Sequence, residues 1–127
     1  MTDKLIINFT PTGMIPTKSM TPHVPVNVQE IVEDVRKACD IGITMVHLHA
    51  RDSISGEPTY HKEIYGDIIG GIREFAPDLI ICVSLSGRNY KELEKRADPL
   101  FLKDGLKPDM GSLTLSSLNF NRTASMN

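Results

Sequence analysis

The 127 residues predict an α/β fold, the amino-terminal half of a (β/α)8 barrel, with about four parallel strands and their connecting helices. Three observations lead there. Short Ile/Val-rich runs recur at intervals of about 30 to 40 residues. Amphipathic stretches of helical period separate them, the cadence of right-handed βαβ units. Finally, a closed barrel needs about 250 residues, and the polar ending "NFNRTASMN" supplies no helix to cover a last strand. A small doubly wound sheet shares the cadence, but the uncovered last strand favours a barrel divided midway. The whole of 1–127 is therefore expected to form a single partial domain.

The first run, "KLIINFT" (4–10), is bounded by Pro and Gly and predicts a strand buried on both faces. Residues 11–27 follow with four prolines and one glycine, which exclude a helix and make a long loop of the kind that covers sites. Asn27 and Glu30 have the spacing of a capping box. Val28, Ile31, Val32, Val35, Ala38 and Cys39 then recur at helical spacing until Gly42. A second strand is expected at 43–49 and a helix from Tyr60 to Phe75 with Ile64, Ile68, Ile69 and Ile72 on its apolar stripe, ended by Pro77. "LIICVS" (79–84) is the third strand, "YKELEKRA" (90–97) a polar helix broken by Pro99, and "DMGSLTL" (109–115) the fourth strand.

Composition narrows the function. An apolar content of 40% suffices for an ordinary core, and a formal charge of −2 with scattered Lys and Arg gives no footprint for nucleic acid or an anionic membrane. Nothing approaches the ~20 apolar residues of a bilayer span, and "MTDKLIINF" lacks a signal peptide's layout, so a cytoplasmic protein acting on small molecules is expected. Cys39 and Cys82 lie far apart, outside any C-x-x-C spacing, and read as reduced packing residues.

Chemistry concentrates at the carboxyl ends of the strands. In "TMVHLHARD" (44–52), alternation places His47 and His49 on one face with Met45, and Val46 and Leu48 on the other. Two imidazoles about 6 to 7 Å apart along a strand can converge on one ion. Zinc accepts neutral imidazole and in catalytic sites takes three protein ligands, so the pair supplies part of a site; a pair of hydrogen-bonded core histidines, or an iron site with a carboxylate, fits the same spacing. His23, in the long loop, and His61, at a helix start, read as surface residues. Asp52 could orient a ligating histidine or simply pair with Arg51. After the third strand, Ser84, Ser86, Gly87 and Arg88 would suit a carboxylate or phosphate, although the spacing is not that of a P-loop. Ser112 and Thr114 are polar positions on one face of the fourth strand, with Asn119 in the next loop. No G-x-S-x-G elbow is present, and neither cysteine has a neighbouring base, which argues against acyl-enzyme chemistry.

Taken together, "IINFTPTG", "PHVPV", "MVHLHARD", "GEPTY", "VSLSGR", "KPDMGSLTLSSLNF" and "ASMN" make the chain resemble the beta-keto acid cleavage enzymes, typified by the 3-keto-5-aminohexanoate cleavage enzyme, over nearly its whole length and in the family's order. That resemblance implies a zinc-dependent (β/α)8 barrel converting a 3-keto acid and acetyl-CoA into acetoacetate and a new acyl-CoA by retro-Claisen C–C cleavage. It implies zinc ligation by His47 and His49, and substrate binding by Ser84, Gly87 and Ser112. The family often has a glutamate after the first-strand "TG"; here Met14, Ile15 and Pro16 follow Gly13. The third zinc ligand, a glutamate, and the catalytic arginine and aspartate belong to late strands in the family, so catalytic residues are expected in a missing carboxyl-terminal half and the isolated chain is expected to be inactive. A half barrel leaves edges unpaired, which predicts a homo-oligomer. The competing reading is a small α/β metal- or anion-binding module without catalysis.

Overall fold

The structure is a computed structural model and describes residues 4–115, 118–120 and 123–125. Four parallel strands, β1 (Asn8–Phe9), β2 (Met45–Leu48), β3 (Ile80–Ser84) and β4 (Met110–Ser112), lie side by side in chain order. Helix α1 (Val28–Asp40) joins β1 to β2, and α2 (Lys62–Arg73) joins β2 to β3. The last crossover is made of the short α3 (Leu93–Arg96) and two 3-10 turns, Asp98–Phe101 and Asp104–Leu106. This is the α/β half-barrel expected. Beyond it, β5 (Leu118–Phe120) and β6 (Thr123–Ser125) pair antiparallel, so Asn119 falls within a strand, not in a loop.

Alternation along the strands separates two environments. Val46, Leu48, Ile81 and Val83 are completely buried and pack with Ile31 and Val35 of α1 and Ile68, Ile69 and Ile72 of α2. At about 1.5–3 kcal/mol for each fully buried aliphatic side chain, this layer is the main source of stability. It also pins the register, since a slip by one residue would turn the histidine face toward the helices.

Helix ends follow the sequence closely. Asn27 accepts from the Glu30 N–H at 2.9 Å while the Glu30 carboxylate takes the Val26 N–H at 2.8 Å and Lys18 at 2.8 Å. The Lys18 hydrogen bond, then that of Val26, holds the Glu30 carboxyl below its ordinary range. At the other end Gly42 adopts φ +94°, and the N–H groups of Gly42 and Ile43 donate to the carbonyls of Cys39 and Ala38, a Schellman closure. Arg73, in the last turn of α2, donates to the carbonyls of Pro77 and Leu79 and to Asp109 at 2.9 Å, and Asp109 also accepts the Ile81 N–H at 2.7 Å. One ion pair thus ties α2 to the starts of β3 and β4.

Several elements are shorter than their sequence signals. The first strand, expected over 4–10 and buried, pairs only at Asn8 and Phe9, and Leu5 and Ile6 are 76% and 69% exposed. The pairing that β2 offers on that side begins only at Thr44 and Met45, whose N–H groups both turn to the Ile7 carbonyl. The fourth strand ends at Ser112, leaving Leu113 and Leu115 exposed. The expected helix over 90–97 is only Leu93–Arg96; it starts three residues late, and past Ala97 the chain continues as a 3-10 turn with Pro99 in its first turn, where a missing N–H costs nothing. Helix α2 occupies 62–73, not 60–75.

Helices α1 and α2 touch at Gly71, where a Cβ would lie 2.9 Å from Cγ2 of Val32. Val is stiff at χ1 and cannot swing aside. Gly71→Ala is therefore expected to lower stability by about 1–2 kcal/mol despite the better helix propensity of alanine. Gly70→Ala, whose Cβ would meet only the Leu106 tip at 3.4 Å, should be neutral or stabilising, and Val32→Ala should rescue Gly71→Ala; urea melts of the four proteins check both.

Candidate functional site

The parallel register sets His47 opposite Cys82, Cys82 opposite Met110, and Ser84 opposite Ser112. All face away from the helix-packed layer. His49 lies one residue past the end of β2, at the carboxyl end where ligands bind in parallel α/β folds.

The two imidazoles come together: their ring centroids are 4.8 Å apart with the planes 15° from parallel. His47 is half-buried, and its Nε2 meets Ser112 Oγ at 3.2 Å, so β4 reaches across β3 to orient a ring on β2. His49 is 9% exposed, and its Nδ1 is buried with no hydrogen-bond partner among the described residues. Burial lowers the His47 pKa. Burial first, then the charge of His47 and that of Arg51, pushes His49 down to about 4. Both rings are thus neutral near pH 7, the form in which imidazole binds a metal. No group of three or more His, Cys, Asp or Glu side chains suited to a metal lies among the described residues.

Cys82 sits between His47 and Met110 in the row, and burial raises its thiol pKa. A buried, protonated thiol is a packing group rather than a nucleophile. Cys39 is half-buried, and both cysteines are free.

Ser84 and Gly87 are buried at the carboxyl end of β3 and in the turn that follows. Tyr65 donates from its hydroxyl to the Ser84 carbonyl at 3.5 Å, and burial pushes the Tyr65 pKa up to about 12. Ser86 Oγ accepts the Arg88 N–H at 3.3 Å, which closes the turn. Ser112 belongs to the histidine side of the site through His47, whereas Thr114 lies beyond the end of β4. His23 and His61 are exposed, as expected of surface residues.

The pair Arg51 and Asp52 does something the sequence did not suggest. Arg51, only 3% exposed, donates to the Gly13 carbonyl at 2.9 and 3.3 Å, to Pro16 at 3.0 Å and to Gly56 at 2.9 Å. It clamps the loop after β1 to the loop after β2. Asp52 Oδ1 accepts from Ile54 N, Ser55 N and Ser55 Oγ and builds a turn of its own. Neither an ion pair between the two nor a carboxylate on either histidine forms among the described residues. The "DSIS" segment carries a recognisable signal for that turn, but nothing local foretells the Arg51 clamp, because its carbonyl partners on Gly13 and Pro16 lie over thirty residues away. Arg96, also missed, is buried near Ser84, and it enters the structure from α3.

A histidine whose folded pKa is depressed stabilises the fold above its unfolded value and loses that contribution as pH falls. For His49 the window runs from about 6.5 down to about 4. The metal-free chain is expected to lose up to about 3 kcal/mol across it. His49→Gln should flatten that part of a stability-against-pH curve; an unchanged curve would contradict the burial of a neutral ring.

The beta-keto acid cleavage enzyme family model matches residues 4–127. The chain is 39% identical over 118 residues to the 3-keto-5-aminohexanoate cleavage enzyme of Acetoanaerobium sticklandii, covering 93% of this chain and 41% of that one. It is 38% identical over 120 residues to the 3-oxoadipate:acetyl-CoA acetyltransferase of Cupriavidus necator, covering 94% and 40%. It therefore spans about two fifths of the length of these curated relatives. Among solved structures, ObcA in a binary complex with oxaloacetate superposes with a TM-score of 0.71 at 21% identity over 82% of this chain and 26% of that one. The ternary complex of ObcA with a C4-CoA adduct and oxalate gives 0.70 at 23%, covering 79% and 25%.

Proposed function

The chain belongs to the beta-keto acid cleavage enzyme family, and from that premise we propose that it forms the amino-terminal part of a zinc-dependent enzyme that converts a 3-keto acid and acetyl-CoA into acetoacetate and a new acyl-CoA. The observation that carries this reading is the stacked His47–His49 pair: two neutral imidazoles on one face, with a buried Nδ1 on His49 that no described residue satisfies. An orphaned buried nitrogen is costly unless something binds it, and a neutral imidazole is the donor zinc prefers. The site fits the metal.

His47 and His49 would hold the zinc, which when bound supplies a Lewis acid for charge developing on the 3-keto oxygen. Ser112 fixes the orientation of His47 through its 3.2 Å contact. Ser84 and Gly87, with Ser112, would hold the carboxylate and keto end of the substrate by hydroxyl and backbone N–H donation. Arg51 keeps the two loops flanking the pair in one arrangement.

The support for a longer working unit is chemical. Two imidazoles are fewer than the three protein ligands of a catalytic zinc site, so the 127-residue chain by itself is expected to be inactive, one partial domain of a barrel. Among the described residues β1 and β4 each pair on one side only within the parallel sheet, and such edges favour association with another copy. A cytoplasmic location is part of the same reading; among the described residues no helix is long and apolar enough to cross a membrane.

Zinc titration by calorimetry should show binding that His47→Ala or His49→Ala weakens by about 100-fold or more, with circular dichroism unchanged. If the metal ignores both substitutions, the site is not here. In the longer enzyme a chelator should abolish formation of acetoacetate from the keto acid and acetyl-CoA, and added zinc should restore it. The solution mass of the 127-residue chain by light scattering is expected to exceed that of a monomer; a monomer indifferent to zinc would instead match a non-catalytic binding module.

A further inference from the structure

We propose that a recess beside Ser84 is an anion subsite, built on Arg96, for a second carboxylate at the far end of the substrate, so that the keto acid taken is a dicarboxylate; this rests on the cleavage reading above. Arg96 closes α3 and is 6% exposed. Its Nε donates to the Leu85 carbonyl at 2.9 Å, while Nη2 is buried with no hydrogen-bond partner among the described residues. No aspartate or glutamate pairs with it among the described residues. Arg51 provides the contrast: equally buried, it makes four bonds to carbonyls and leaves no comparable orphan. A buried guanidinium without a counter-charge is costly, and the Leu85 bond holds its Nε in place.

The surroundings suit an anion. Arg96 lines the recess with Ser84, Ser86, Thr59 and Tyr60, whose hydroxyls can donate, and with Met14, which adds an apolar wall; no carboxylate lines it. The loops after β1, β2 and β3 each contribute, which places the recess at the carboxyl end of the sheet, and Ser84 is shared with the group proposed to hold the keto-acid end. The recess is small and partly open, with room in its inner part for about one or two waters. A guanidinium edge and a carboxylate match in two parallel hydrogen bonds.

The test is a calorimetric comparison of adipate, adipate monoamide and hexanoate binding to the chain, without zinc or acetyl-CoA. Adipate is expected to bind about tenfold more tightly than either of the others, the gain of a charge-assisted pair. Arg96→Gln should remove the preference and Arg96→Lys retain part of it. Equal affinities, no binding of any of the three, or a preference that survives Arg96→Gln would overturn the subsite. If Arg96→Gln fails to fold, the monoamide comparison on the unaltered chain decides by itself. Because no turnover is involved, an adipate preference in a protein that cleaves no keto acid would leave the subsite standing and sink the cleavage reading. A cleaving enzyme without the preference would do the reverse.

Discussion

The apolar layer between β2, β3 and the two long helices is the constraint from which the site follows. Val46, Leu48, Ile81 and Val83 cannot leave the Ile31–Val35 and Ile68–Ile72 faces without exposing the core, so the alternate residues of the same strands must project the other way. His47, Cys82, Ser84 and Ser112 share a face because their neighbours are buried. The polar row is as firmly placed as the hydrophobic layer behind it. A site carried on strands in this way holds its groups more closely than one carried on loops.

Electrostatically, the carboxyl end of the sheet is unusual. Two neutral imidazoles and two buried guanidinium groups, Arg51 and Arg96, lie around it; of the carboxylates, Asp52 is at the same end but is taken up by its own turn, Glu57 acts on Arg51 through its charge, Glu30 serves a helix cap and Asp109 pairs with Arg73. Arg51 is satisfied by main-chain carbonyls and acts as a fastener. Arg96 and His49 each keep one buried nitrogen without a partner among the described residues. Native interiors leave few such atoms, and the two found here flank Ser84 and the histidine pair, the same end at which parallel α/β folds bind ligands. That coincidence gives one physical basis to the metal reading and the anion subsite.

How much was legible in the sequence depends on the range over which each signal acts. The α1 capping box, the Gly42 closure, the helical stripe of α2 and the alternation in "MVHLH" are local patterns, and all appear where expected. Strand lengths are not local, because a strand ends where its partner stops offering hydrogen bonds. For that reason "KLIINFT" shrank to a two-residue pairing although its composition was that of a longer strand. The clamp made by Arg51 and the buried placement of Arg96 depend on carbonyls of Gly13, Pro16 and Leu85, contacts that no spacing rule reports.

The sequence by itself determined the order of strands and helices, the face on which the two histidines lie and, through the resemblance its motifs carry, the family. These are fixed by the periods of the backbone, two for a strand and 3.6 for a helix, and by side-chain chemistry. Tertiary structure alone decided the protonation state of the histidines, the approach of Ser112 to His47 and the isolation of Arg96, because desolvation and long-range pairing exist only once β2, β3, β4 and their loops have packed together.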